Sequence, residues 1–236
     1  MVVTGAGAGL GACIARAGAD AGYRVGVLDV SEAVIQPVVD QLANAVPMVA
    51  DVRDGTAVAA AFEELGAVDV LVNNAGILRT GPLIEHAAED FRLVIDVNLN
   101  GAFIAGQAAA RHMKAAGGGA IINISSINGI HPSPNCGAYV AAKAGIIGLT
   151  QQMSIEWGEF GIRANAIAPG FIDAGMSAPF FENQRVRDMR ANAVPLGRLG
   201  TAEDVARAAI FLASDDASFC TGACYQVDGG LLAALM

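Results

Sequence analysis

Charge is scarce in this chain. Only 16% of its 236 residues are Asp, Glu, Lys or Arg, against 54% hydrophobic ones. A chain of that balance can bury a substantial core and does not belong to the disordered class. Basic residues are scarcer still: 14 Lys and Arg face 23 Asp and Glu, for a net charge of −9. No Lys/Arg run forms a basic patch, and an acidic surface repels phosphates, so neither nucleic acid nor an anionic membrane surface is expected as a partner. Long apolar runs are missing too. Gly, Asn, Pro or a charge interrupts each one well before ~18 residues, so no membrane span is expected. Four cysteines occur, Cys13, Cys136, Cys220 and Cys224. Their spacing fits no zinc site, so no metal is expected. Free thiols in a reducing, cytoplasmic setting are the simplest reading. Cys220 and Cys224 bracket a Thr-Gly turn signal and read as packed small hydrophobes. No charged region precedes an apolar run at the N-terminus, which argues against a signal peptide.

What is present is an alternation. Short β-type runs fall at 1–4, 24–28, 47–50, 68–72, 120–124, 163–167 and 224–227. Most are continuously apolar, as strands covered on both faces are. Between them lie helical patterns near 9–21, 31–44, 55–65, 88–116, 138–159 and 202–213. Alternating β and α elements predict an α/β fold: one doubly wound domain over 1–236, a parallel seven-stranded sheet with helices on both faces. The stretch 170–200, rich in Pro, Gly, Phe and Met, has no clear strand and reads as a substrate lid.

Residues 4–11, TGAGAGLG, follow the first strand and open a helix. Glycines permit a tight turn and bring backbone N–H groups to a pyrophosphate at the helix N-terminus. This makes Gly5, Gly7, Gly9, Leu10 and Gly11 cofactor-binding candidates. Asp29 ends the second apolar run, where a carboxylate can accept hydrogen bonds from an adenosine ribose. A 2′-phosphate there would set about two negative charges against it, at about 4 kcal/mol per pair for ~4 Å and an effective dielectric near 20. No Arg or Lys lies in the glycine loop, and Val30 follows Asp29. NAD is therefore expected rather than NADP.

Residues 136–143, CGAYVAAK, place Tyr139 and Lys143 four apart, one helical turn from each other on one face. A phenol of pKa ≈ 10 needs about 4 kcal/mol to titrate near 7. An ammonium at ~4 Å and an effective dielectric near 20 supplies about that much. Tyr139 is thereby a candidate acid/base.

TGxxxGxG at 4–11, Asp51-Val52, NNAG at 73–76, Asn98, Ser126, YxxxK at 139–143, PG at 169–170 and DGG at 228–230 occur in this order. The chain resembles the short-chain dehydrogenase/reductases over essentially its whole length. The resemblance implies that Asp51 and Val52 flank an adenine and that Asn74, Ala75 and Gly76 lie by the cofactor. It places Pro169, Gly170 and the backbone of Ile172 at the nicotinamide. Asn73 and the DGG are implied to be structural. Lys143 would hold the nicotinamide ribose beside Tyr139, Ser126 would hydrogen-bond the reacting oxygen, with Ser125 its rival, and Asn98 would anchor a water leading to Lys143. Where the family commonly carries Thr, this chain has Ala174, so one cofactor hydrogen bond is expected to be missing.

The expected reaction is hydride transfer between NAD and a small secondary alcohol or its ketone: a polyol, sugar or cyclic alcohol. Two alternatives stand beside it. One is an NADPH-dependent 3-oxoacyl carrier-protein reductase, opposed by Asp29, by the acidic surface, and by Gly117 and Phe160 where those reductases commonly place arginines. The other is a non-catalytic NAD(H)-sensing or scaffold protein. The resemblance also implies a homotetramer, or a homodimer, through the Ala- and Gly-rich helices at 88–116 and 138–159. His131 is a candidate for the pocket border; His86 and His112 read as surface residues. Phe171, Met176, Phe180 and Phe181 are candidates for an apolar lid.

Overall fold

The computed structural model describes residues 1–235. Strands β1 (Val2–Thr4), β2 (Val25–Asp29), β3 (Ala45–Val49), β4 (Val70–Asn73), β5 (Gly119–Ile124), β6 (Ile162–Pro169) and β7 (Cys224–Val227) form one sheet. All neighbouring pairs are parallel, in the order β3-β2-β1-β4-β5-β6-β7. Around it run α1 (Gly9–Asp20), α2 (Glu32–Val39), α3 (Gly55–Leu65), α4 (Ala88–Ile95), α5 (Gly101–Ala116), α6 (Ala138–Trp157), α7 (Gln184–Ala193), α8 (Ala202–Ala213) and α9 (Leu231–Leu235). This is the Rossmann-type α/β fold expected from the alternation.

Continuous apolar strands are explained by what they touch. Successive residues point to opposite faces. Val3, Val70, Val72 and Ile122 pack on one side with Ile14 of α1 and Val205 and Ala209 of α8. Val2, Leu71 and Ile121 pack on the other with Phe62 of α3, Ala105 and Met113 of α5, and Met153 of α6. Neither face meets water, so no alternation appears in the sequence.

Several expectations are corrected. The pattern at 31–44 forms helix only over Glu32–Val39, with Pro37 inside it. The stretch 170–200 holds a 3₁₀ segment, Gly175–Phe181, and helix α7. Its base is pinned: Gly200 donates to Phe171 O, and Asp173 donates to Gly200 O, both at 2.9 Å. The run at 88–116 is a continuous helix with a π turn, Asp96–Asn100, between α4 and α5. By length and composition alone, Ala88–Ala116 could cross a bilayer: it has 29 residues, and its apolar window has a mean hydropathy of 1.2. Half of its apolar window is buried within the protein. Ala105, Ala109 and Met113 pack directly on the sheet, which makes it a core helix.

Candidate active site

In an open parallel sheet a crevice forms beyond the carboxyl ends of the strands, where the strand order reverses. Here β1 sits between β2 and β4. A cleft of about 1120 Å³ opens there, lined from the glycine loop at one end to Ser126, Tyr139 and the 170–181 segment at the other. Of the cofactor candidates, Gly5, Gly9, Leu10, Gly11, Asp29, Val30, Asp51, Val52, Asn74, Ala75, Gly76, Pro169, Gly170 and Ile172 all line it. Gly7 does not: its N–H donates to Asp29 Oδ2 at 3.0 Å. That bond holds the glycine loop against the end of β2.

The glycine loop requires its glycines. Gly9 has φ +53°, and a Cβ there would stand 2.6 Å from Gly175 Cα. The same contact shows that the segment following Ala174 rests on the loop. A Cβ on Gly11 would meet Gly5 O at 2.1 Å. Thr4 and Asn74 brace this end: Thr4 Oγ1 accepts from Asn74 N and Ala75 N, both at 3.0 Å, and Asn74 Nδ2 donates to Thr4 O at 3.0 Å and Gly5 O at 3.1 Å. A nicotinamide dinucleotide fits this architecture. Exposed loop backbone opens α1, and a carboxylate stands at the end of β2.

Asp29 Oδ1 accepts from Val30 N at 2.8 Å, so backbone donors on both sides hold the carboxylate at the adenosine end. Arg53 also lines this end, and sequence reading passed over it although it follows Asp51 by two residues. Its guanidinium is held by Asp51, with Nε 3.0 Å from both carboxylate oxygens. That pairing holds the Asp51 carboxyl below its ordinary range.

At the other end, Tyr139 and Lys143 stand on the first two turns of α6. Lys143 is 3% exposed. Its Nζ lies 5.4 Å from the Tyr139 ring centroid and donates to Ile124 O at 2.7 Å. Ser126 and Ser125 are separated by their partners. Ser125 Oγ donates to Lys143 O at 2.7 Å and braces α6. Ser126, capping the turn after β5, accepts from Asn128 N at 3.1 Å and lines the cleft together with Tyr139.

The electrostatic expectation for Tyr139 is corrected. Burial pushes its phenol up to about 12, with the Ser126 hydroxyl pulling the other way. Burial likewise pushes Lys143 down to about 8. A reckoning from charge separation alone leaves out desolvation, which here is the largest influence on both groups.

Asn98 is fully buried in the π turn and does not line the cleft. Its Oδ1 accepts from Ile77 N at 2.8 Å and its Nδ2 donates to Ile77 O at 3.0 Å, fixing the chain that leaves Gly76. Asn73 Nδ2 donates to Asn123 Oδ1 at 2.8 Å and Ala102 O at 3.0 Å. Asp228 accepts from Gly230 N and Leu232 N, both at 2.8 Å. His131 is exposed and lies off the cleft lining. His86 is half-buried under Gly137, where a Cβ would come within 2.5 Å of its ring, and His112 packs on Phe62. Neither is a plain surface residue. Arg190 and Cys136 line the substrate end, and the sequence reading singled out neither for the site.

A family model described as enoyl-(acyl carrier protein) reductase matches residues 5–232. The chain belongs to the short-chain dehydrogenase/reductase family. Among curated members of the family, a cis-4-hydroxycyclohexanecarboxylate dehydrogenase from Sinomonas cyclohexanicum is 43% identical, over 98% of this chain and 96% of the relative. A 3-oxoacyl acyl-carrier-protein reductase from Chlamydia muridarum is 41% identical, over 98% and 96%. Among solved structures, a gluconate 5-dehydrogenase from Burkholderia cenocepacia, in complex with NADP and tartrate, superposes with a TM-score of 0.94. It is 36% identical and covers 98% of this chain and 94% of that one. The short-chain dehydrogenase/reductase assignment makes the chain an oxidoreductase that uses a nicotinamide cofactor.

Proposed function

We propose that this protein interconverts a small secondary alcohol (a polyol, sugar or cyclic alcohol) and its ketone with NAD. One observation carries the reading: Tyr139, Ser126 and Lys143 meet at one end of a cleft whose other end is formed by the glycine loop and Asp29. Bound in that cleft, the dinucleotide supplies the hydride chemistry and, when oxidised, a positive ring. Tyr139 takes the proton of an alcohol, or gives one to a ketone, at its phenolic oxygen. Ser126 holds the reacting oxygen by a hydrogen bond. Lys143 binds ribose hydroxyls beside Tyr139, and Asn98 anchors a water that links Lys143 to solvent. Segment 170–200 serves as the lid, and Ala174 leaves its closure one hydrogen bond short.

Asp29 favours NAD, because the adenosine end carries two carboxylates and one arginine, and Asp51 already engages that arginine. The cyclic-alcohol and polyol dehydrogenases among the relatives support the substrate class. The four unpaired thiols fit a reducing cytoplasm. Exposed Phe103 on α5 and Ile155 on α6, 44% and 76% accessible, support a tetramer built on those helices.

The second reading is reduction of 3-oxoacyl carrier-protein thioesters with NADPH, favoured by the relatives of that name. Initial rates with NAD, NADP and their reduced forms, on a panel of cyclic alcohols, polyols and an acetoacetyl thioester, separate the two. Tyr139→Phe is expected to lower turnover by about 10²–10⁴-fold while NADH still binds. Near-normal turnover in that variant defeats the mechanism, and faster oxidation of NADPH with the thioester defeats the substrate assignment. Binding of NADH without turnover of any panel member would favour a sensing protein.

A further inference from the structure

Positive charge collects at the substrate end of this cleft although the chain carries a net charge of −9. The carboxylates lining the cleft, Asp29 and Asp51, stand at its adenosine end. The charged side chains lining the far end are Lys143, Arg79 and Arg190. Two of these three are engaged: Lys143 Nζ donates to Ile124 O, and Arg79 Nε stands 3.5 Å from Asp90.

Arg190, on α7, is different. It is half-buried, yet among the described residues its side chain makes no hydrogen bond or ion pair with the protein. Its neighbour on the same helix, Arg187, is tied to Asp173. Arg190 is held instead by stacking, with Cζ 4.7 Å from the Phe171 ring centroid and 5.6 Å from that of Phe181. Stacking fixes a planar guanidinium through its faces and leaves its edge N–H donors unfilled. Such a preorganised fork suits bidentate recognition of an oxyanion. Its charge reaches the site: the nearby guanidinium draws the Cys136 thiol down against the upward push of burial, and Cys136 stands three residues before Tyr139. Met176 and Phe180 give this end apolar surface, beside the polar Ser133, Asn135 and Ser177. The complementary ligand is therefore a small apolar skeleton bearing one negative group.

We infer that Arg190 anchors a carboxylate on the substrate, so that the preferred substrates are secondary alcohols and ketones of small carboxylic acids. This inference rests on the alcohol/ketone oxidoreductase reading given above and narrows it. Arg190 binds the far end of the substrate while Tyr139 and Ser126 act on the carbinol oxygen.

The test compares reduction of 3-oxocyclohexanecarboxylate and its methyl ester by the full chain, wild type and Arg190→Met. Wild type is expected to prefer the acid by about 30-fold in kcat/KM, about 2 kcal/mol, chiefly through KM. In Arg190→Met the ratio is expected to fall to within about threefold of one, and in Arg190→Lys to lie between. Charge without the planar fork recovers only part of the recognition. A wild-type ratio near one, or a ratio unchanged in Arg190→Met, overturns the inference while leaving the oxidoreductase reading intact.

A second measurement does not depend on turnover. Cyclohexanecarboxylate and cyclohexanecarboxamide are titrated calorimetrically into the protein–NADH complex. The acid is expected to bind wild type at least tenfold more tightly than Arg190→Met, with the amide indifferent to the change. If neither ketone is reduced with either cofactor, the titration alone decides the role of Arg190. Acid binding that is absent, or equal in the two proteins, overturns it. Should Arg190→Met fail to fold, Arg190→Lys carries both comparisons.

Discussion

Replacing Asp29 with Ser probes the cofactor end directly. Backbone N–H groups of Gly7 and Val30 hold the Asp29 carboxylate, at 3.0 and 2.8 Å, so it cannot swing away from a ligand without breaking both bonds. A 2′-phosphate carries roughly 1.5–2 negative charges at neutral pH. At ~4 Å each charge pair costs about 1 kcal/mol in water and about 4 kcal/mol at an effective dielectric near 20. Asp29 is partly exposed, so the lower half of that range applies and the repulsion sums to about 2–4 kcal/mol. Every 1.4 kcal/mol is tenfold, so wild type is expected to prefer NAD over NADP by about 30-fold or more in kcat/KM. Asp29→Ser removes the repulsion and shortens the acceptor. NADP is expected to gain at least tenfold. NAD is expected to lose about tenfold, since charge-assisted hydrogen bonds to the ribose are worth about 1.5–3 kcal/mol. The assay is the initial rate of NAD(P)H formation with one alcohol at fixed salt, because exposed charges are screened. A ratio that stays within threefold of wild type would refute the reasoning. So would a wild-type enzyme that favours NADP, which would mean that Arg53 leaves Asp51 for the phosphate.

Other consequences follow from burial and exposure. Because the Lys143 pKa is about 8 folded against an ordinary 10.5, the unfolded chain binds more protons between those values. Stability therefore rises with pH over that window. The wild-type stability relative to Lys143→Met is expected to climb by about 3 kcal/mol from pH 8 to 10.5. Urea unfolding without cofactor, followed at several pH values, reads this, and a flat difference would show that Lys143 is solvated. Burial raises Tyr139, so its contribution runs oppositely: it is present below pH 10 and lost as pH rises toward 12. The exposed Phe103 and Ile155 carry the assembly prediction. Phe103→Lys with Ile155→Lys is expected to convert a tetramer to smaller species in sedimentation experiments with little change in unfolding midpoint. A wild-type monomer would remove that reading.

Much of the fold and half of the site are written locally in the chain. Strands buried on both faces must be apolar throughout, so β1, β4 and β5 announce themselves, and helices between them force parallel pairing. The glycine loop is legible because its backbone geometry admits little else: Gly9 takes a positive φ beneath Gly175. Tyr139 and Lys143 are legible because four residues make one helical turn. What the sequence could not contain is distance across the fold. The Asn98 side chain on the π turn reaches Ile77, twenty-one residues away. The choice between Ser125 and Ser126 is made by α6, whose Lys143 carbonyl takes the first hydroxyl. Arg190 stands in an unremarkable polar helix, and only the packing of α7 over Phe171 and Phe181 brings it to the cleft. The acidity of Tyr139 is not legible in the sequence, because desolvation depends on the surrounding atoms, which only tertiary packing supplies.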